Sequence, residues 1–224
     1  MLHILLSMDT VDKWPHFYFW NKWLAKGNAK CAQLDFTNRE PKGNAMRLFR
    51  MVIENKIDPY VIILGQDPYP QPGIATGIAF ANNHEPYSPS LQVIEKSICR
   101  IYGPSKDSFD YTLESWVKQG ILPFNTAFTV QTNKPGSDSL LWAGFTAEFL
   151  RELDKEYPDR AYIFFGQSAQ VFAKCVEGSK SSELHPSYYA RNNQHMYARV
   201  WIDAAEWVKA RFNVTLKWRK DYEQ

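Results

Sequence analysis

Residues 61–70 read Val61-Ile62-Ile63-Leu64-Gly65-Gln66-Asp67-Pro68-Tyr69-Pro70, and this stretch decides the fold. Four apolar residues in a row, three of them β-branched and closed by a glycine, describe a short strand buried on both faces, as at the centre of a parallel sheet. Pro68 and Pro70 have no N–H to give to a ladder, so the chain turns sharply after Gly65. Asp67 is thereby delivered to the carboxyl end of a buried strand, where open α/β sheets bind ligands. Taken alone, the ten residues also allow a plainer role, with Asp67 capping its own turn.

Upstream, Ala45, Leu48, Phe49, Val52 and Ile53 recur at helical spacing and predict a helix over 44–57 that leads into the strand. Residues 1–43 crowd Trp14, Phe17, Tyr18, Phe19, Trp20 and Trp23 without a clean period; they read as a helical segment packed on the sheet, or as an aromatic surface for a partner. Downstream, a glycine-containing loop runs into Ile78-Ala79-Phe80. Leu91, Ile94, Ile98 and Ile101 predict a helix with Ser90 at its N-cap. A further helical stretch covers Phe109 to Val117. Ile121-Leu122-Pro123-Phe124-Asn125 is a second apolar strand ending in a polar side chain, and Pro123 within it points to a bulge or an edge. Asp138 to Glu156 carries Leu141, Phe145, Phe149 and Leu153 at steps of four, a long helix. Ala161 to Phe165, closed by Gly166, is a third buried strand. Gln167-Ser168-Ala169-Gln170 opens a helix with Val171, Phe172 and Cys175 on one face and Gly178 at its end. Glu183-Leu184-His185 is read as a fourth strand running into a loop. The last helix, about Met196 to Arg211, turns Val200, Ala204, Trp207 and Val208 inward, and Val214 to Trp218 is a closing strand or an extended tail.

This alternation implies one α/β domain over 1–224, with a central, mainly parallel four-stranded sheet flanked by helices on both faces. Strands at 61–64, 121–124, 161–165 and 183–185 then bring Asp67, Asn125, Gly166-Gln167 and His185 to one rim. An acid, an amide and an imidazole would share a cleft there.

Composition limits the chemistry. The 224 residues are 45% hydrophobic and 15% aromatic, enough for a sizeable core with side chains left for stacking. A formal net charge of +2 means that any phosphate footprint is a local patch. Cys31, Cys99 and Cys175 are far apart, odd in number and without metal-ligand spacing, as expected of buried thiols in a reducing compartment. The opening Met1-Leu2-His3-Ile4-Leu5-Leu6 stops too soon for a signal peptide, and no apolar run approaches the ~20 residues of a membrane span. The expectation is a soluble intracellular protein, cytoplasmic or nuclear. A paired-carboxylate glycosidase motif, a Gly-x-Ser-x-Gly elbow and a phosphate-binding Walker loop are all missing. What remains suits cleavage of a bond with an anionic leaving group: His185 as a donor to that group, Asp67 as the negative charge facing the cation left behind.

Gln66-Asp67-Pro68-Tyr69, Phe80 at a matching separation from Asp67, Pro89-Ser90-Leu91, Asn125 and His185-Pro186-Ser187 together resemble the family 1 uracil-DNA glycosylases, over roughly residues 45–205. The resemblance implies an enzyme that flips uracil out of single- or double-stranded DNA and hydrolyses its glycosidic bond, with no metal or cofactor. It implies Asp67 and His185 as catalytic residues and Gln66, Tyr69, Phe80 and Asn125 as the base-binding set. DNA contacts would come from Pro70, Ser90, Gly166, Gln167, Ser187, Tyr189 and Arg191. A monomer is implied, with a proteinaceous inhibitor of the family as a further candidate partner. Several positions depart from the family pattern. Pro70 replaces a His, Gln167 a Ser and Tyr188 a Pro. Tyr189 aligns with the leucine that wedges into the DNA stack, and Ala190 lacks the hydroxyl usual at its position. A DNA-binding or replication-associated module of the same fold with weak or no activity is the alternative those departures motivate. An unrelated α/β hydrolase with an Asp/His cleft is the third reading.

Overall fold

The computed structural model describes residues 14–103, 109–197 and 199–220; the amino-terminal Met1–Leu6 stretch lies outside them. In chain order the elements are α1 (Phe17–Cys31), β1 (Arg39–Glu40), α2 (Arg47–Asn55), β2 (Val61–Gly65), α3 (Pro89–Tyr102), α4 (Glu114–Lys118), β3 (Ile121–Asn125), β4 (Val130–Gln131), α5 (Ser139–Glu156), β5 (Ala161–Phe165), α6 (Gln167–Gln170), a 3-10 turn at Ala173–Cys175, β6 (Ser179–Glu183), α7 (Pro186–Arg191) and α8 (Arg199–Phe212).

Four strands form one parallel sheet in the order β3-β2-β5-β6, while β1 and β4 make a separate antiparallel pair. In register, Leu64 lies beside Phe124 and Phe164, so these three share a face. On that face Phe124 packs against Phe49 of α2 and Phe149 of α5, with ring centroids 5.4 and 5.3 Å apart. The next residue of β5, Phe165, points to the other face and meets Trp201 of α8 at 5.6 Å. Helices therefore cover both faces, and Val61 to Leu64 are at most 1% exposed, which is why β2 is written entirely in aliphatic residues. No helix among the described residues is long and apolar enough to cross a membrane.

The topology creates the crevice. From β2 the chain moves to β3 on one side, and from β5 it moves to β6 on the other. The carboxyl ends of β2 and β5 are thus neighbours whose connections diverge, the place where open α/β sheets leave room for a ligand.

Several elements differ from the sequence-based expectation. The fourth strand runs Ser179–Glu183 and stops two residues before His185. Pro186 cannot continue a ladder, and His185 becomes the N-cap of α7 instead. The helix expected from Gln167 stops at Gln170 and resumes as the tighter 3-10 turn, which leaves Val171 60% exposed while Cys175 is buried. Ser88, not Ser90, caps α3: its Oγ accepts from Leu91 N at 3.2 Å, and Pro89 takes the first helical position, where its missing N–H costs nothing. The helical stretch from Phe109 shrinks to Glu114–Lys118. In α8 the inward tryptophan is Trp201, fully buried with Nε1 donating to Ser97 Oγ at 2.8 Å; Trp207 is at the surface and donates to the Asp159 carbonyl. Pro123 does sit on an edge strand, in unbroken register opposite Ile63. Residues 213–218 form an extended tail, with Leu216 and Trp218 buried.

Candidate active site

The end of β2 is tied to the end of β3 beyond the ladder. The Gly65 carbonyl accepts from Thr126 N at 3.0 Å, and the Gln66 carbonyl accepts from Ala127 N at 2.9 Å and Thr126 Oγ1 at 2.8 Å. These bonds fix Asn125 beside Gly65. A Cβ on Gly65 would lie 2.8 Å from Asn125 Oδ1 and 2.8 Å from Phe80 Cζ, so only glycine lets the amide and the ring meet over this strand end.

Asp67 follows the strand directly and is largely withdrawn from water. Gly136 N–H, from the loop between β4 and α5, donates to its Oδ2. Burial pushes the Asp67 carboxyl above the ordinary carboxylate range, against the pull of the Gly136 N–H and the Gln66 side chain; Asp138 nearby adds to the rise. The Gln66 side-chain oxygen accepts from Ser168 Oγ at 3.0 Å, which sets the orientation of that amide.

Tyr69 is a fixed wall. Its hydroxyl donates to the Phe80 carbonyl at 2.7 Å and pairs with Ser88 Oγ, the same oxygen that caps α3. Phe80 is held at φ +66°, a left-handed conformation costly for a phenylalanine. The hydrogen bonds of Ala79 N to the Pro123 carbonyl (3.1 Å) and of Ala81 N to the Ile78 carbonyl (3.3 Å) clamp the two sides of it. Its ring lies 5.7 Å from the His185 imidazole and 5.6 Å from Phe165.

His185 caps α7 with its own ring: Nδ1 accepts from Ser187 N at 3.2 Å and lies 2.9 Å from Ser187 Oγ. Burial, with a contribution from the Arg191 charge, pushes the imidazole down to about 4. A neutral ring whose Nδ1 accepts a backbone N–H must carry its proton on Nε2. The site therefore holds an imidazole donor, not an imidazolium.

These residues surround one cavity of about 680 Å³, lined by Gln66, Asp67, Tyr69, Phe80, Asn125 and His185. Pro70, Ser90, Ser187 and Arg191 from the expected DNA-contact set line it as well. Three others are placed elsewhere. Gly166, at φ +80°, sits behind His185: a Cβ there would be 2.9 Å from the histidine's own Cβ. Gln167 is exposed at the start of α6 and is not part of the lining. Tyr189, expected to wedge into DNA, is 6% exposed, with its hydroxyl on Glu183 Oε1 at 2.5 Å; the exposed tyrosine of α7 is Tyr188. The reason is helical geometry, since Ser187, Ala190 and Arg191 share the cavity side of α7 and Tyr189 falls opposite.

Sequence reasoning missed Gly136, Ser88 and Ser168. Pro135-Gly136 is a turn signal, and a serine directly before Pro89 is a cap signal; Ser168 carries no local sign of its role. Among the described residues, no group of three or more His, Cys, Asp or Glu side chains is placed to hold a metal ion.

The family model for the uracil DNA glycosylase superfamily matches residues 53–212. The chain belongs to the uracil-DNA glycosylase superfamily. A uracil-DNA glycosylase of Azobacteroides pseudotrichonymphae is 32% identical over 184 residues, covering 80% of this chain and 82% of that one. One from Coxiella burnetii is 36% identical over 166 residues, covering 69% and 72%. Among solved structures, a mimivirus uracil-DNA glycosylase matches with a TM-score of 0.69 at 23% identity, covering 94% of this chain and 83% of that one. A variant of mimivirus UNG in complex with UGI matches with a TM-score of 0.75, also at 23% identity, covering 91% and 88%. At that identity the structural likeness speaks to the fold: a four-stranded parallel sheet flanked by helices, shared with uracil-DNA glycosylases.

Proposed function

We propose that this chain is a family 1 uracil-DNA glycosylase, which hydrolyses the N-glycosidic bond of a flipped-out deoxyuridine in DNA, releases uracil and leaves an abasic site for base excision repair. One observation carries the reading. Asp67, Asn125 and His185, separated by up to 118 positions in sequence, converge from three strand ends on one cavity walled by Tyr69 and Phe80.

As the glycosidic bond breaks, electrons move onto the base and a positive charge grows on the sugar. His185, neutral with its proton on Nε2, donates to uracil O2 as negative charge develops there. Asp67 stabilises the oxocarbenium-like sugar and orients the attacking water. The Gly136 N–H on its Oδ2 fixes the direction in which the carboxylate faces. The Asn125 amide accepts from N3–H and donates to O4. Cytosine presents the opposite pattern at those atoms and would leave buried polar groups unpaired, so it is rejected. Phe80 stacks on the base, worth ~1–3 kcal/mol. Tyr69, pinned at its hydroxyl, stands against C5 and excludes the thymine methyl. Ser90 is the second residue of α3, where a free N–H favours a phosphate, and Ser187, Pro70 and Arg191 line the same cavity. A single chain supplies every residue of this set, so the proposal is of an enzyme that acts as a monomer. A proteinaceous inhibitor of the family is a second partner to test.

The test is uracil release from a single-stranded oligonucleotide, wild type beside Asn125→Asp, with uracil and cytosine substrates. Wild type should release uracil, and the variant should lose its preference for uracil over cytosine. DNA binding by wild type without base release would refute the enzymatic reading and favour a binding module.

A further inference from the structure

The buried hydrogen bond of Tyr189 has a use other than holding a ring out of sight. Glu183 Oε1 accepts from Tyr189 OH at 2.5 Å and from Leu184 N at 2.7 Å. The carbonyl of the same residue accepts from Gly166 N at 2.8 Å and from Gln170 Nε2 at 3.2 Å. Glu183, the last residue of β6, therefore joins two things: the corner where β5 passes into α6, and the far side of α7. His185 lies between the two ends of this clasp. Its Nδ1 contacts come from Ser187, in its own turn, so they orient the ring relative to α7 and not relative to the sheet. At six residues, α7 is too short to fix its own position.

We propose that Glu183 and Tyr189 are positioning residues for His185: their hydrogen bond clasps the turn that carries the imidazole to the sheet, holds Nε2–H at the level of the base, and keeps Tyr189 out of the DNA stack. A phenol on a carboxylate is a charge-assisted bond, short and stronger than a neutral one; it ties to the sheet a turn whose other packing is against α3. Gly166 completes the device, since its missing Cβ leaves the clasped histidine room to lie against β5.

The proposal rests on the catalytic role given to His185 above, and its test separates the two. Uracil release is measured on single-stranded and duplex DNA for wild type, Tyr189→Phe, Glu183→Ala, Glu183→Gln and the Tyr189→Phe/Glu183→Ala double variant. Absence of release by wild type would sink the functional reading itself. With wild type active, Tyr189→Phe and Glu183→Ala should each lower kcat roughly 10- to 100-fold, equally on both substrates and with KM little changed, as expected for a displaced donor. The double variant should be no worse than either single one. Glu183→Gln keeps an oxygen to accept both bonds and should retain most of the rate. The His185 Nε2 resonance should move in Tyr189→Phe. Unchanged rates in Tyr189→Phe would overturn the clasp. So would a loss confined to duplex DNA, which would return Tyr189 to the role of a wedge. A lower melting temperature with wild-type kcat per folded molecule and an unmoved His185 resonance would reduce the bond to a structural one, and would overturn the proposal too.

Discussion

The role proposed for His185 requires a neutral ring, and the residue has two features that keep it so: a hydrogen bond that occupies its basic nitrogen and surroundings that penalise its charge. Ser187 N–H occupies Nδ1, and burial with Arg191 nearby brings the imidazole down to about 4 from an ordinary 6.5. Between those pH values the unfolded chain binds a proton that the folded chain does not, so stability falls as pH is lowered from 6.5 to 4 and levels off below. The loss over that window is about 3 kcal/mol, and a His185→Gln variant should lack it. Nitrogen NMR should find Nε2 protonated and Nδ1 bare from pH 8 down to pH 5; a titration of His185 near 6.5 would contradict the assignment. Asp67, Asn125 and His185 were brought to one rim by the strand expected before each, and it was their joint occurrence, not any one of them, that marked the site. Tyr189 was not legible in this way. Its destination depends on where β6 stops and on which side of a six-residue helix it falls, and neither is written in its neighbours.

Among the elements, the loop between β4 and α5 carries more of the site than its sequence suggests, since it supplies the Gly136 N–H to Asp67. Its far end is held by Asp138, whose carboxylate accepts from Arg39 Nε at 2.7 Å, from Arg39 Nη2 at 3.1 Å and from Thr129 Oγ1 at 2.6 Å. The Asp138 side chain is 2% exposed and that of Arg39 14%. Removing one partner of a buried pair leaves the other charge uncompensated, so Arg39→Ala should destabilise by ~3–5 kcal/mol in a urea titration. Replacing both, as Arg39→Met with Asp138→Leu, should cost less, because no charge is stranded. A single variant as stable as wild type would show that the pair does not hold this loop. The three apolar strands were readable because a strand covered on both faces must be apolar throughout. Ser179–Glu183 was not, because an edge strand with alternating exposure tolerates Ser-Lys-Ser-Ser-Glu, which has no apolar run to find.

For the molecule as a whole, the aromatic amino-terminal segment, left open between core and partner surface by the sequence, turns out to be a layer of the core. Trp20 and Trp23 of α1 are fully buried. Trp20 meets Phe49 of α2 at 5.7 Å and Phe149 of α5 at 6.0 Å, and its Nε1 donates to Tyr157 OH at 2.9 Å. Phe49 and Phe149 in turn rest on Phe124 of β3, the residue before Asn125. The stack thus runs from α1 through two helices to the sheet beneath the Asn125 amide. Phe124 also lines the cavity, but the stack brings no polar group to it, so it should govern stability more than turnover. Trp20→Ala opens a cavity in this stack and should cost ~3–5 kcal/mol. For a chain of this length that lowers the melting temperature by on the order of 10 °C. Uracil release per folded molecule, measured well below the new midpoint, should stay near the wild-type value. An unchanged midpoint would mean that α1 is not part of the cooperative core. A normal midpoint shift with turnover lost from folded protein would mean that the aromatic stack sets the position of Asn125 directly.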